Sequence, residues 1–221
     1  MKMKVPDVAR GVLLAAMALA GTQAAAVGQD ASEDGLLPVG YGRLNQDDLS
    51  VGMRAGNLDI RLTVLQETGL RLLNKESYES LHRLVESKRA QIDSVDQVYG
   101  LGDPGLLMVR YYSLAEGSRF DAQLLTTIIN GQFYTPVAII PLTTSIQSDR
   151  LGRRQQAAGI YVFEETLTPY LPMVFSYGAF RADGWNSDRV RSLQRERSRI
   201  QSRVMQQREQ SSQEEPAPED P

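Results

Sequence analysis

Few residues in this sequence have the types and spacing that chemistry requires. The one histidine, His82, follows Glu79 by three residues and precedes Glu86 by four, so on a helix the three share a face. A Glu-His-Glu face is a set of metal ligands. It is equally the description of a surface histidine among acids, and the position of His82 just after Leu81, on the flank of an apolar stripe, fits that plainer description. With one histidine and no Gly-x-Ser-x-Gly turn, no Ser-His-Asp relay is assembled. Asp47-Asp48 offers hard oxygen ligands of the kind calcium takes, without the spaced Asp/Asn/Gly series of a calcium loop. Glu164-Glu165 are carboxylates of the type used in glycoside hydrolysis, but neighbours on a strand point to opposite faces. The sequence thus names no catalytic residue, no metal ligand set and no cofactor.

Arginine is more suggestive. Arg150, Arg153 and Arg154 surround Gly152, and Arg191, Arg195 and Arg199 recur at helical spacing near the C-terminus. Guanidinium groups bind phosphates, anionic lipid heads and acidic protein faces; the same residues interrupted by Glu196 and Glu209 also describe a solvated surface. These six arginines are the candidate binding residues, with an envelope protein or an anionic envelope component as the expected partner. Tyr111, Tyr112, Tyr134, Tyr161, Tyr170 and Tyr177 lie in or beside β segments, where they either pack in the core or line a groove. Trp185, the single tryptophan, stands where the β region gives way to the last helix and reads as its anchor.

The elements that must position these residues are legible from periodicity. In residues 57–65, Leu58, Ile60, Leu62 and Val64 alternate with Asp59, Arg61 and Thr63, the pattern of a half-buried strand. Residues 44–53 share that period, and the turn at Ala55-Gly56-Asn57 makes the two a hairpin, with Leu70 to Leu73 prolonging the second arm beyond a kink at Gly69. Tyr78, Leu81, Val85, Ile92, Val95 and Tyr99 then switch to three-four spacing. They predict one amphipathic helix over 75–98, capped by Asn74 and ended by Gly100. Strands follow at 105–114, 122–129, 132–140, 158–163 and 173–177. Asn130-Gly131 supplies the two positive-φ residues of a tight hairpin, and Pro136 marks an edge or a bulge. Val190, Leu193, Ile200 and Val204 form a narrow stripe on a final Arg-rich helix over 186–208, a stripe through which two copies can associate.

Bulk composition narrows the class. Lys2, Lys4 and Arg10, an apolar run over 11–20 and Ala24-Ala25-Ala26 have the order of a secretory signal peptide over residues 1–26, bacterial in style. The run is shorter than the ~20 residues a spanning helix needs, and no other segment is apolar enough to span. Its removal leaves about 195 residues, enough for one domain with a real core. With no cysteine, the chain forms no disulfide, no thiol nucleophile and no Cys-bound zinc. A formal charge of −3 gives no sign of a nucleic-acid partner. Residues 27–38 read as a flexible linker. Residues 209–221, acidic and Pro-rich, bury too little apolar surface to offset their ordering entropy and read as a disordered tail.

Phe120-Asp121-Ala122-Gln123-Leu124, followed by Asn130-Gly131-Gln132-Phe133-Tyr134-Thr135-Pro136-Val137, resembles a pattern in exported bacterial proteins with immunoglobulin-like domains, where a buried Phe precedes a strand and a Gly turn leads into Tyr-x-Pro. The resemblance implies a binding or assembly role and carries over no catalytic residue. The expectation is therefore a mainly β protein. An immunoglobulin-like antiparallel β-sandwich over 39–185 has one amphipathic helix inserted and a basic helix appended, and it is periplasmic or secreted and not enzymatic. The alternatives are a hydrolase of envelope polymers working through Asp and Glu, and a calcium-dependent extracellular module.

Overall fold

A computed structural model of the chain describes residues 36–214. In chain order these form β1 (Ser50–Ala55), β2 (Leu58–Val64), α1 (Glu67–Leu70), α2 (Lys75–Ser87), α3 (Arg89–Tyr99), β3 (Gly105–Ser113), β4 (Ser118–Arg119), β5 (Leu125–Ile129), β6 (Gln132–Tyr134), β7 (Ala138–Pro141), β8 (Arg150–Leu151), β9 (Gln156–Phe163), β10 (Met173–Tyr177), β11 (Phe180–Trp185) and α4 (Ser187–Glu214). The larger sheet has the order β1-β2-β3-β9-β7, the smaller β11-β10-β5-β6, and β4 and β8 form a two-stranded ribbon. Every strand pair is antiparallel. The protein is mainly β with antiparallel sheets and a C-terminal helix. The signal peptide expected at 1–26 and most of the linker expected at 27–38 lie outside the described residues, as does the end of the acidic tail.

The alternation in the sequence is the pleat of the first hairpin. Leu58, Ile60, Leu62 and Val64 are buried, and Asp59 and Arg61 face solvent. Ala55 pairs with Leu58, so the turn is Gly56-Asn57, with Gly56 at φ 58°. A second tight turn joins β5 to β6, where Asn130 (φ 51°) and Gly131 (φ 82°) take the two positive φ angles that a type I′ turn demands.

Three expectations are corrected. Leu70 to Leu73 do not prolong β2: Leu70 closes the short helix α1, and Leu73 makes an isolated bridge to Leu44. The inserted helix is two helices. Tyr78, Leu81, Val85 and Ile92 are buried as the stripe requires, but its position between Val85 and Ile92 is filled by Lys88, and there the chain leaves helical geometry (φ −114°, ψ 3°). A lysine provides no apolar anchor at the one point where the stripe needs it. Residues 132–140 are likewise not one arm. β6 ends at Tyr134, β7 begins at Ala138 in the other sheet, and Pro136, unable to donate to a ladder, stands in the crossing.

The chain passes between the two sheets three times, from β3 to β5, from β6 to β7 and from β9 to β10. An aromatic cluster holds them together. The ring of Tyr111 on β3 lies 5.1 Å from Phe120 and 5.7 Å from Tyr177 on β10, and its hydroxyl is 2.8 Å from that of Tyr161 on β9. Tyr111 and Tyr161 are fully buried, and burial pushes both phenols far above their ordinary range. Each hydroxyl is therefore a neutral group whose buried partner is the other. Tyr111→Phe is expected to destabilise the protein by about 1–3 kcal/mol, because it strands the Tyr161 hydroxyl. The double variant Tyr111→Phe/Tyr161→Phe is expected to recover part of that loss, which urea unfolding of the four proteins of the cycle will show.

Candidate binding surfaces

The basic turn is built by the ends of β3 and β9. Ser113 donates its amide to the Gln155 carbonyl (2.9 Å) and accepts the Arg154 amide (3.0 Å). The turn itself is closed by Gln155 N–H to Gly152 O at 3.0 Å and by Gly152 N–H to the Gln155 side-chain oxygen at 2.9 Å. Glu116 accepts the Arg153 amide at 3.0 Å. Backbone bonds hold the turn, so the side chains of Arg153 and Arg154 stay free and exposed. Arg154 sits at φ 61°, the left-handed region in which a side chain is disfavoured by about 1–2 kcal/mol and glycine is the usual occupant. In the ribbon next to the turn, Arg150 stands directly opposite Arg119, like charges in a position that neighbouring strands usually give to opposite ones.

Phe120 follows this ribbon and separates two adjoining clefts of about 410 and 430 Å³. Both clefts include Asp121 and Asp149 in their walls. The smaller adds Arg119, Tyr177, Leu124 and Phe180, and the last two are 48% and 46% exposed, large apolar surfaces left in water. Tyr177 ties the cleft to the core, because its hydroxyl accepts the Asp121 amide at 2.8 Å while its ring lies against Tyr111. Sequence reasoning missed this group: β4 and β8 are two residues each, too short for any period, and only the fold brings Asp121 and Asp149 together.

The Arg-rich helix is longer than the expected 186–208, reaching Glu214, and it docks on the body. Val190, Leu193 and Ile200 are buried in the chain's own core, so the stripe proposed for self-association is covered within one copy. Trp185 is buried at its start, with the indole N–H donated to the Pro169 carbonyl at 3.2 Å. Arg189 donates to the carbonyls of Asp47 (3.2 Å) and Asp48 (2.6 Å). Arg199 forks onto Glu196 (2.6 and 2.8 Å) and donates to the Tyr41 carbonyl at 2.6 Å, while Glu196 accepts the Arg43 amide at 2.8 Å. Arg199 is thus a fastener of the strand-like entry segment, whereas Arg191, paired with Asp188, and Arg195 remain exposed on the outer face. The two basic surfaces are not one. The helix begins beside Asp47 and Asp48, at the Ser50–Thr63–Met108 end of the large sheet, and the basic turn leaves the Ser113 end, five residues and about 17 Å away along β3.

The other candidates are engaged locally. His82 stacks on Tyr78 (5.0 Å), and its Nδ1 lies 3.5 Å from the Glu67 carboxylate. Tyr78 donates to the same carboxylate at 2.9 Å, and burial with that hydrogen bond pushes its phenol up to about 12. Glu86 binds Arg89, and Glu79 lies 3.9 Å from Lys75. Asp47 meets Arg61 at 3.2 Å, and Asp48 caps its own turn by accepting the Asn45 amide at 2.7 Å. Glu164 and Glu165 are exposed. Among the described residues no three His, Asp or Glu side chains converge as metal ligands, and no helix is long and apolar enough to cross a membrane. No protein-family model, curated protein or solved structure matches the chain.

The Arg199 fork, reinforced by the Arg43 amide, holds the Glu196 carboxyl below its ordinary value of 4.5. A folded-state value below the unfolded one means stability that is present above about 4.5 and is lost as pH falls through the lowered value. Glu196→Gln is therefore expected to lower stability by about 1–3 kcal/mol at pH 7. Thermal melts of the two proteins should converge as the pH drops below 4.5.

Proposed function

We propose that this chain is an exported, non-enzymatic binding or scaffold protein of the bacterial cell envelope, built on an immunoglobulin-like sandwich, and that it meets its partner with the basic turn and the cleft beside it. Export rests on the order of basic, apolar and small residues at 1–26. One observation carries the binding reading: Arg154 occupies a left-handed position that glycine would fill more stably. Four guanidiniums, from Arg119, Arg150, Arg153 and Arg154, gather at this end of the molecule beside exposed Leu124 and Phe180. Charge that steers an acidic face and apolar surface that it covers are the two parts of an interface. A second reading, hydrolysis, is favoured only by Asp121 and Asp149 flanking the same cleft.

The Arg154 backbone separates folding from binding. Arg154→Gly is expected to raise stability by up to about 1 kcal/mol while weakening capture of envelope components. Arg153→Glu/Arg154→Glu should weaken capture further with little change in melting temperature. Affinity capture from an envelope fraction at low and high salt reads both, since exposed charge contacts are screened. Equal capture by wild type and both variants overturns the surface. Loss of glycan cleavage in Asp121→Asn, with capture intact, would establish the hydrolase instead.

A further inference from the structure

The outer face of the large sheet carries a second arginine pair, independent of the basic turn. Gly52, Arg61, Arg110 and Ala158 are register partners across β1, β2, β3 and β9. Two guanidiniums therefore stand side by side on neighbouring strands, a placement that like charges make unfavourable unless something lies between them. In the next row Arg54 opposes Asp59, so that row is balanced. Asp47 balances Arg61 at 3.2 Å, through a contact in which both side chains are largely exposed.

Arg110 is the charge left over. It is half-buried, and among the described residues it has neither an ion-pair partner nor a hydrogen-bond acceptor. Burial first, then the neighbouring Arg61, disfavours its charged form, and Asp47 offsets this only in part. A guanidinium stays charged in proteins and has five donors to satisfy. The row is open on the Arg61 side, where a Cβ on Gly52 would meet nothing within 4 Å, and closed on the other, where Ala158 beside Arg110 is buried. The row is bounded by the turn carrying Asp47 at one side and by exposed Tyr112 at the other.

We propose that Arg61 and Arg110 together bind a phosphoryl group, Arg61 turning from Asp47 to share it. One carboxylate is filled by one guanidinium fork, whereas a phosphoryl group offers three oxygens and can accept from two guanidiniums at once. That chemistry belongs to free phosphate and to a phospholipid headgroup, and the test distinguishes them. Thermal melts of the full chain would be followed in sodium phosphate and in sodium acetate, both at fixed ionic strength against chloride. Binding to phosphatidylglycerol vesicles would be compared with binding to phosphatidylcholine vesicles.

Phosphate is expected to raise the wild-type melting temperature where acetate does not. Arg110→Gln should lose that rise, yet melt no lower than wild type without phosphate, because it removes an uncompensated like charge. Arg110→Lys, which keeps charge and loses the fork, should bind about tenfold more weakly or worse, and guards against misfolding of the glutamine variant. Arg83→Gln, a charge removed from an exposed position of α2, should behave as wild type. Arg110-dependent binding to phosphatidylglycerol without a response to free phosphate assigns the headgroup. Failure of phosphate and vesicles alike, an equal response to acetate, or undiminished binding by both Arg110 variants overturns the proposal.

Discussion

The structure depends on Tyr111. From the middle of the large sheet its ring spans the interior to Phe120 and Tyr177, and its hydroxyl is satisfied by Tyr161 on the adjacent strand. A phenol buried this deeply needs a hydrogen-bond partner, so the pair ties β3 to β9 as well as filling the core. The same aromatic set forms the wall of the candidate site. Phe120 divides the two clefts, and Tyr177 holds the Asp121 amide. The cleft is therefore the outer surface of a packed core, so binding at the proposed surface would require little further ordering.

What was legible in the sequence followed from local physics. Alternation gave β2, three-four spacing gave α2 and α3, and Asn130-Gly131 gave its hairpin, because each signal is contained within a few residues. The break at Lys88 went unread, because the period of the residues on either side hid the one polar residue at a stripe position. What was not legible depended on distance along the chain. β4 and β8 pair residues more than thirty apart and have no pattern of their own. β11 carries a bulge against β10 between Ala182 and Trp185, which disturbs the alternation that would have marked it.

The arginines show the same division. Spacing in 189–203 announces a helix with basic faces, and nothing in it tells a fastening arginine from a free one. The acceptors decide that, and they are backbone carbonyls of residues 41–48, a segment about 150 positions earlier. Arg189 and Arg199 reach those carbonyls with a planar set of donors. Gly42 lets the segment lie this close, since a Cβ there would fall 2.1 Å from the Leu72 carbonyl oxygen. Arg191 and Arg195 reach no such acceptor and stay in water.

Two cross-strand arginine pairs, Arg119 with Arg150 and Arg61 with Arg110, run against the ordinary preference of antiparallel sheets. The first lies on a short exposed ribbon, where solvent screens the repulsion and little stability is at stake. The second lies in the middle of the largest sheet, and one member is half-buried, where screening is weaker and an unmet donor is more expensive. Folding alone favours replacing Arg110, for any uncharged residue of similar length would remove the repulsion and keep the packing of its stem. The left-handed Arg154 obeys the same logic, since glycine would serve its turn better. At both positions local stability prefers another residue, and the molecule retains a guanidinium with no ion-pair partner among the described residues. At these two places the local rules for a stable turn and a stable sheet fail, and such failures are expected at functional or strained sites.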